Sequence, residues 1–455
     1  ATGTFNITVI ALNDAPTVRG AAGTLAFTEN DGATVIDGSL IVTDTDDTDL
    51  ESATITISTG YVGSEDVLGF NNENGIIGNW DAESGVMSLT GTSNKANYKA
   101  ALESVTYNNT SEEPNTSPRV ISWVVNDGDG NSGTVLSTVN ITAANEVPIL
   151  KGSVATINFT ENDGATVIDS NLIVTDIDDT DLESATITIS TGYVGSEDVL
   201  EFNNQNGIIG IWDSESGVMT LSGISSKTNY ETALVSVTYN NISDVPNTDF
   251  RTIAWLINDG TDNSLRILST VNVTAVNDLP ALLDAGDSLA FTENDGATVI
   301  DQNLSVTDVD DTNLESVTIT ISTGYVSSED VLGFSAQNGI SGNWEPESGI
   351  MSLTGSASKA NYETALESVT YNNTSDAPNT SSRIITWVLN DGNDSSVKVT
   401  STVSVTAVND SPLAQDDTYS VDEDGKLVVP GGSGVLSNDS IGGDGGVLTV
   451  KQVTV

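Results

Sequence analysis

The chain of 455 residues contains no cysteine and no histidine. These absences exclude disulfide bonds, thiol catalysis, the usual kinds of zinc site and histidine-based acid–base chemistry. Basic residues are scarce as well, with 13 Lys and Arg against 65 Asp and Glu and a formal charge of −52. Such a surface repels nucleic acid and anionic membranes, so neither is an expected partner. No apolar run approaches the ~20 residues needed to span a bilayer.

The sequence repeats itself with a period of 132 residues. The same eleven-residue run, FTENDGATVID, begins at Phe27, Phe159 and Phe291. A period of this length corresponds to a whole domain rather than to a solenoid unit, so a tandem array is predicted. The predicted divisions are the last strand of a preceding repeat (1–14), three full repeats (15–146, 147–278 and 279–410) and the start of a divergent, truncated repeat (411–455).

Each repeat is predicted to be an antiparallel β-sandwich. Residues 54–58, 119–125 and 138–143 alternate polar with apolar or β-branched side chains, as half-buried strands do. The turn sequence Asn126-Asp127-Gly128 separates the last two of these strands. One segment, residues 94–102, instead places Tyr98, Ala101 and Leu102 at helical spacing, which predicts a short helix at one edge of the sandwich.

Several aromatic and basic residues recur in phase with the repeat. Trp123, Trp255 and Trp387 lie in strand patterns and are predicted core residues. Trp80 lies in Gly78-Asn79-Trp80-Asp81, which is typical of a polar turn, so Trp80 and its equivalents Trp212 and Trp344 are candidate glycan contacts as well as candidate core residues. Surface ion pairs are predicted for the recurring basic residues, which are Lys95, Lys227, Lys359, Arg119, Arg251 and Arg383.

Acidic residues recur at five places in each repeat, and these positions are the candidate metal ligands. They are the linker residues Asn13, Asp14, Asn145, Glu146, Asn277, Asp278, Asn409 and Asp410; an early Glu29, Glu161 and Glu293; the Asp-x-Asp residues Asp44, Asp46, Asp176, Asp178, Asp308 and Asp310; Glu112, Asp244 and Asp376 before a proline; and the turn residues Asp127, Asp259 and Asp391. Calcium takes six to eight oxygen ligands of this kind. Solubility, adaptation to salt and simple turn formation are the alternative explanations, but clustering in phase with the repeat favours calcium.

The order of these motifs resembles that of the cadherin fold and its bacterial cadherin-like relatives. The matching residues of the first repeat are Glu29, Asp44 with Asp46, Glu112, Asp127, and Asn145 with Glu146. The resemblance implies seven-stranded Greek-key sandwiches in an extended rod, with Ca²⁺ at the junctions. It would bring Glu29, Glu112, Asn145 and Glu146 together with Asp176, Asp178 and Asp259, and the equivalent residues together at the next junction.

The sequence departs from the family pattern in three respects. The fuller acidic linker of animal cadherins is reduced to Asn-Asp-x-Pro, Glu146 replaces an aspartate, and Val245 and Ala377 stand where the first repeat has Glu113. These differences leave the number of ions at each junction open.

The resemblance implies a calcium-stiffened stalk or adhesive segment of a bacterial surface adhesin, secreted to the cell surface. No signal peptide is visible and both ends lie in strand patterns, so we expect a fragment of a longer protein. The alternative is a tandem array of carbohydrate-binding modules using Trp80 and its equivalents. Enzymatic activity is not expected, because every copy carries the same carboxylate pairs and none carries histidine. The adhesion target is not specified by the sequence.

Overall fold

The computed structural model describes residues 4–451 apart from residues 11, 21, 153 and 444. In this part of the chain each full copy of the 132-residue period contains eleven strands and one α-helix. Contacts group the chain into two compact units, one of residues 1–157, 165–240 and 250–272 and the other of residues 158–164, 241–249 and 273–455. The acidic residues at the junction of the first two copies fall within the first unit. Those at the junction of the second and third copies fall within the second unit.

The elements recur at matching positions in the three copies. The first copy contains β1 Thr17–Arg19, β2 Thr24–Thr28, β3 Thr34–Val35, β4 Ile41–Thr43, β5 Asp49–Thr59, β6 Asp66–Gly69, β7 Ile77–Asp81, β8 Val86–Asn94, α1 Lys95–Glu103, β9 Thr106–Asn109, β10 Arg119–Asn126 and β11 Val135–Thr142. The second contains β12 Ile149–Lys151, β13 Thr156–Thr160, β14 Thr166–Val167, β15 Ile173–Thr175, β16 Asp181–Thr191, β17 Asp198–Glu201, β18 Ile209–Asp213, β19 Val218–Ser226, α2 Lys227–Leu234, β20 Thr238–Asn241, β21 Arg251–Asn258 and β22 Ile267–Thr274. The third contains β23 Ala281–Leu283, β24 Ser288–Thr292, β25 Thr298–Val299, β26 Ser305–Thr307, β27 Asn313–Thr323, β28 Asp330–Gly333, β29 Ser341–Glu345, β30 Ile350–Ser358, α3 Lys359–Leu366, β31 Thr370–Asn373, β32 Arg383–Asn390 and β33 Val399–Thr406.

The first copy is a two-layered sandwich. Its larger sheet has the order β2-β11-β10-β5-β8-β7, the opposing sheet has the order β3-β9-β6, and β1 pairs with β4. Only β2 with β11 pairs in parallel among these strands. The third copy has the same arrangement. The all-β Greek-key prediction is therefore confirmed, but among the described residues each copy has eleven strands where seven were predicted, including the hairpin β7–β8 at one edge of the larger sheet.

Alternation along the strands builds the core. On β10, Ile121, Trp123 and Val125 point inward and are fully buried, and Trp123 lies opposite Ile55 of β5. The indole Nε1 of Trp123 donates to Ser137 Oγ at 3.0 Å, so its polar atom is satisfied inside the core. The prediction that this tryptophan and its equivalents are core residues is confirmed.

The predicted short helix is present in each copy. Helix α1 begins after Asn94, whose side chain accepts a hydrogen bond from the amide of Asn97 at 2.9 Å and so caps the helix. Tyr98, Ala101 and Leu102 are fully buried, and the helix packs against β4, β5 and β8. The three α-helices of the described residues are eight or nine residues long, and none of them could cross a membrane.

The predicted surface ion pair of Arg119 is wrong, because this side chain is fully buried. Its Nε donates to both carboxylate oxygens of Asp66, at 3.1 and 3.0 Å, and Nη2 donates to Glu65 at 3.1 Å. Its Nη1 donates to the carbonyl oxygens of Asn115 and Ser117, at 2.7 and 2.5 Å. The equivalent arginines, Arg251 and Arg383, are also fully buried and paired with Asp198 and Asp330.

The two flanking segments contain little regular structure in their described residues. Residues 4–10 and 12–14 have no sheet pairing. Residues 411–451 contain one bridge, between Leu413 and Ser440, and a 3₁₀ turn at Gly431–Ser433. The division of the chain into repeats at the predicted boundaries stays a prediction.

Candidate metal centres at the junctions

An acidic loop joins β15 to β16 at the start of the second copy. The Asp176 Oδ1 atom accepts hydrogen bonds from the amides of Asp178, at 3.2 Å, and Asp179, at 3.0 Å. This turn fixes one oxygen of Asp176 on the loop's own backbone. Its other oxygen, Oδ2, is buried and accepts no hydrogen bond.

The linker between the first two copies contacts this loop and the neighbouring turn. The amide of Glu146 donates to Asp178 Oδ2 at 3.2 Å. The side-chain Nδ2 of Asn145 donates to Asp259 Oδ2 and to Asp262 Oδ2, both at 3.1 Å. The predicted meeting of the linker with the next copy's acidic residues is thus seen in the structure, although Asn145 acts here as a donor.

The first copy contributes two further glutamates at the same junction. Glu29 directly follows β2 and is only 4% exposed. Its Oε2 accepts a hydrogen bond from the amide of Ala144 at 2.9 Å, which aims the carboxylate at the linker. One oxygen atom from each of Glu29, Glu112 and Glu146 lies within 4.8 Å of the other two. A second set of this kind consists of Asp176, Asp179 and Asp259.

Like charges converge on Glu146. Burial raises its pKa, and the carboxylates of Glu29, Asp178, Glu112 and Asp176 raise it further. Burial likewise raises the pKa of Asp176, and the adjacent Asp178 carboxyl adds to the effect. A junction of this kind favours binding of a cation, because its carboxylates are crowded and partly withdrawn from water.

The junction of the second and third copies repeats the main hydrogen bonds, and Asp308, Asp311 and Asp391 form a carboxylate set there. Glu161 Oε2 accepts from the amide of Val276 at 2.9 Å, and the amide of Asp278 donates to Asp310 Oδ2 at 3.2 Å. Burial raises the pKa of Asp278, and Asp310 and Asp244 raise it further. The remaining contacts join Asn277 Nδ2 to Asp391 Oδ2 at 3.0 Å and the amide of Asp311 to Asp308 Oδ1 at 2.8 Å.

The outer ends carry parts of the same arrangement. Before the first copy, Asn13 Nδ2 donates to Asp127 Oδ2 at 3.0 Å, and the amide of Asp14 donates to Asp46 Oδ2 at 3.1 Å. After the third copy, Glu293 Oε2 accepts from the amide of Val408 at 2.8 Å. Within the described part of the chain, none of the four predicted residues at that end, Glu293, Asp376, Asn409 and Asp410, is gathered into a carboxylate set.

Whether these residues fit a metal ion can be judged from their buried carboxylate oxygens that receive no hydrogen bond. Among the described residues, no N–H or O–H group donates to Glu29 Oε1, Asp44 Oδ2, Glu146 Oε2, Glu161 Oε1, Asp176 Oδ2, Asp178 Oδ1, Asp278 Oδ2, Glu293 Oε1, Asp308 Oδ2 or Asp310 Oδ1. Every one of these atoms belongs to a residue singled out from the sequence. Buried charged oxygens require a partner, and hard oxygen donors of this kind suit calcium.

Sequence reasoning missed two kinds of acidic residue at these junctions. The second consecutive aspartate of each loop, Asp47, Asp179 or Asp311, belongs to a carboxylate set in all three copies. Its signal was present, since the Asp-x-Asp-Asp run recurs with the period. The other kind is Asp262, which recurs one period later as Asp394 but is replaced by Gly130 in the first copy, so its periodic signal is weaker.

The candidate glycan contacts lie in strands, so the prediction of a turn at Trp80 is wrong. Trp80 belongs to β7, is half-buried against the core, and meets Tyr61 edge-to-face with ring centroids 6.1 Å apart. Trp212 and Trp344 have the same partners in their copies, Tyr193 and Tyr325. An open depression of about 490 Å³ lies beside Trp344 in the third copy.

The chain is similar to several known proteins, each at 25% identity or less. No protein-family model matches the chain. It is 25% identical over 379 residues to halomucin of Haloquadratum walsbyi, a match that covers 76% of this chain and 4% of halomucin. It is also similar to extracellular cadherin domains 1–5 of protocadherin gamma B2 (15% identity, 88% of this chain, 61% of that one, TM-score 0.31). A further similar structure is Drosophila N-cadherin EC1–4 (12% identity, 88% and 78%, TM-score 0.22). The chain thus spans a small fraction of halomucin, and its fold is established by its own strand pairings.

Proposed function

We propose that the chain is a repeat segment of an extracellular surface protein, acting as a stalk or adhesive region whose junctions are stiffened by calcium. The observation that carries this proposal is the set of buried, donor-free carboxylate oxygens contributed from both sides of each junction. Similarity to cadherin domains and to halomucin supports an extracellular setting. A bacterial source stays a prediction, and the adhesion target is not specified.

At the first junction, Glu29, Glu112 and Glu146 would supply ligands from one side. From the other side, Asp176, Asp178, Asp179 and Asp259 would supply theirs. A bound Ca²⁺ would supply positive charge and coordination to these oxygens. Because residues of two copies share the ligands, calcium binding would stabilise their mutual orientation by RT ln(1 + [Ca²⁺]/Kd).

The burial of these residues argues against solubility as the sole reason for the acidity. Carboxylates that only confer solubility belong at the surface, where water solvates their charge. Glu29, Glu161 and Glu293 are each 4% exposed, and Asp308 is 8% exposed. Burying these charges lowers stability unless a counterion compensates for the lost hydration.

A structural role also accounts for the carboxylates better than catalysis does. Asp66 pairs with buried Arg119 inside the core, and Asp44 holds the amides of its own loop. Both uses fix backbone and neighbouring side chains. Carbohydrate binding at Trp344 is the second candidate, supported by the depression beside that ring. Quenching or a shift of tryptophan fluorescence on addition of glycans would test it.

The first experiment compares small-angle scattering and thermal melting in calcium, in magnesium at equal concentration, and in chelator. Calcium is expected to reduce the flexibility seen by scattering and to raise Tm. Magnesium should have a smaller effect, because it demands a tighter octahedral site than these spread carboxylates offer. Equal responses to both ions would indicate simple charge screening and overturn the calcium proposal.

A further inference from the structure

One lysine stands behind the acidic loop in every copy. Lys227 Nζ donates to the backbone carbonyl oxygens of Asp176, at 2.7 Å, and Asp179. Lys95 makes the same pair of hydrogen bonds to the carbonyls of Asp44 and Asp47, at 2.9 and 2.6 Å. In the third copy, Lys359 donates to the carbonyls of residues 308 and 311, at 2.7 and 2.6 Å.

This choice of partner is unusual for a chain with 65 acidic residues and 13 basic ones. An ammonium group beside several carboxylates would be expected to pair with one of them, and surface ion pairs were predicted for these lysines. That prediction is wrong. The ammonium of Lys227 is half-buried and holds main-chain oxygens, while Asp176 Oδ2 and Asp178 Oδ1 accept no hydrogen bond.

The lysine therefore binds the side of the loop that carries the main-chain carbonyls, and the carboxylates lie on the other side. Its hydrogen bonds turn the carbonyl oxygens of Asp176 and Asp179 inward, toward the first residue of helix α2. The carboxylates of Asp176 and Asp178 are left toward the linker, where the amide of Glu146 contacts Asp178. Ligands fixed in this way lose little freedom on binding an ion.

We propose that Lys95, Lys227 and Lys359 are positioning residues that hold the acidic loops ready for calcium. This inference rests on the proposed function, since it concerns the same junctions. The lysine does not touch the ion. It acts through the loop backbone, as outer-sphere partners of metal ligands commonly do.

The sign of the change in calcium affinity distinguishes positioning from charge. A lysine close to a cation site repels the cation, so removing its charge alone would tighten calcium binding. Loss of positioning has the opposite effect, because two carbonyls lose their donor and the loop becomes free to reorganise. Removal of such partners typically weakens metal binding by about 10- to 100-fold.

The test is a calorimetric calcium titration of the wild-type chain, the triple variant K95M/K227M/K359M and the control K99M. Lys99 is partly exposed on helix α1 and pairs with Glu103 at 2.5 Å, so K99M removes a positive charge without touching an acidic loop. We expect calcium binding of the triple variant to weaken by about tenfold or more, with K99M close to wild type. Unchanged or tighter binding by the triple variant would overturn the inference.

If the triple variant does not fold in chelator, as judged by circular dichroism, the single variant K227M takes its place. It should move only the sites of the first junction to weaker binding and leave the others at the wild-type affinity. A uniform shift of all sites, or no shift, would contradict the inference. Failure of the proposed function itself looks different, because the wild-type chain would then bind no calcium.

Discussion

The side-chain Nδ2 of Asn145 donates a hydrogen bond to Asp259 Oδ2 over 3.1 Å and so joins a linker to a turn of the following copy. The pairs Asn13–Asp127 and Asn277–Asp391 repeat this contact at 3.0 Å. Burial acts to raise the pKa of Asp259, but hydrogen bonds from the amides of Asp262 and Thr261 and from Asn145 outweigh it and lower that pKa. Part of each junction is therefore held by hydrogen bonds, before any ion is considered.

Replacing Asn145 should separate this contribution from that of calcium. N145A removes the donor and is expected to lower stability in chelator by about 1 kcal/mol. N145D places a carboxylate against Asp259 and should lower it further, with the loss largely reversed by calcium. Urea unfolding with and without calcium measures both, and N79A, at an exposed strand position, is the control. Equal behaviour of N145A and N145D would contradict the expectation.

Replacing the three buried glutamates, Glu29, Glu161 and Glu293, by glutamine should change Tm in opposite directions with and without calcium. The triple variant E29Q/E161Q/E293Q removes charge beside Glu146 and its equivalents, so we expect a higher Tm than wild type in chelator. In calcium the same variant should have the lower Tm, because it has lost charged ligands. The measurement is thermal melting under both conditions.

The control for that experiment is E83Q/E215Q/E347Q, which removes the same charge from exposed turns. It should shift Tm little in either condition. If the two triple variants shift Tm equally, the position of the buried glutamates has no effect and the net charge alone determines Tm.

Features that depend on periodicity could be predicted from the sequence. Strand β10 alternates strictly, and its inward side chains Ile121, Trp123 and Val125 are buried as expected. The in-phase acidic residues of the first two junctions come together for a related reason, because they follow strands that are recognisable from their pattern. Helix α1 was predictable because Tyr98, Ala101 and Leu102 break the strand alternation.

Features that depend on contacts between distant residues could not be predicted. Arg119 and Asp66 lie 53 residues apart in the sequence. Each residue alone is typical of the surface, and only the folded sandwich brings the two together. Trp80 follows a Gly-Asn pair that is typical of a turn, yet cross-strand pairing of β7 with β8 makes this segment an edge strand. Lys95 likewise binds carbonyls that no sequence pattern reveals.

Breaking the buried ion pair should be severe. R119M leaves Asp66 charged and without its main partner in the core, and we expect a loss of about 3–5 kcal/mol in the free energy of unfolding. The variant also frees the loop that carries Glu112, since Arg119 Nη1 holds the carbonyls of residues 115 and 117. Denaturant unfolding of R119M and of the exposed control R19M measures the effect, and a loss below about 1 kcal/mol would contradict it.

The two junctions should differ in calcium affinity. Glu112 and Glu146 of the first junction are replaced by Asp244 and Asp278 in the second. Among the described residues, the linker carboxylate lies within 4.8 Å of both neighbouring carboxylates of the preceding copy at the first junction only. We expect tighter binding at the first junction, because more ligands are already gathered there.

Reciprocal exchange tests this difference. E112D/E146D should weaken the tighter class of sites in a calcium titration, and D244E/D278E should strengthen the weaker class. A wild-type isotherm with a single class of identical sites would contradict the prediction at once.

Stability should depend on pH in opposite ways with and without calcium. Burial and then neighbouring carboxylates raise the pKa of Glu146 and Asp278, and burial raises that of Asp176 and Asp308 as well. A carboxyl whose pKa is higher in the folded chain than in the unfolded chain opposes folding while ionised, and this opposition disappears as the pH falls through the raised pKa. In chelator, Tm should therefore rise as the pH is lowered from about 7 to about 5.

Calcium requires the ionised form of these carboxyl groups, so its stabilising effect should shrink over the same pH interval. Asp259 and Asp391, whose pKa values are lowered against the effect of burial by their hydrogen bonds, would lose their contribution only at more acid pH. Melting curves across this pH range, in calcium and in chelator, measure the effect. If Tm in chelator falls as the pH is lowered, the junction carboxylates are not crowded as the structure indicates.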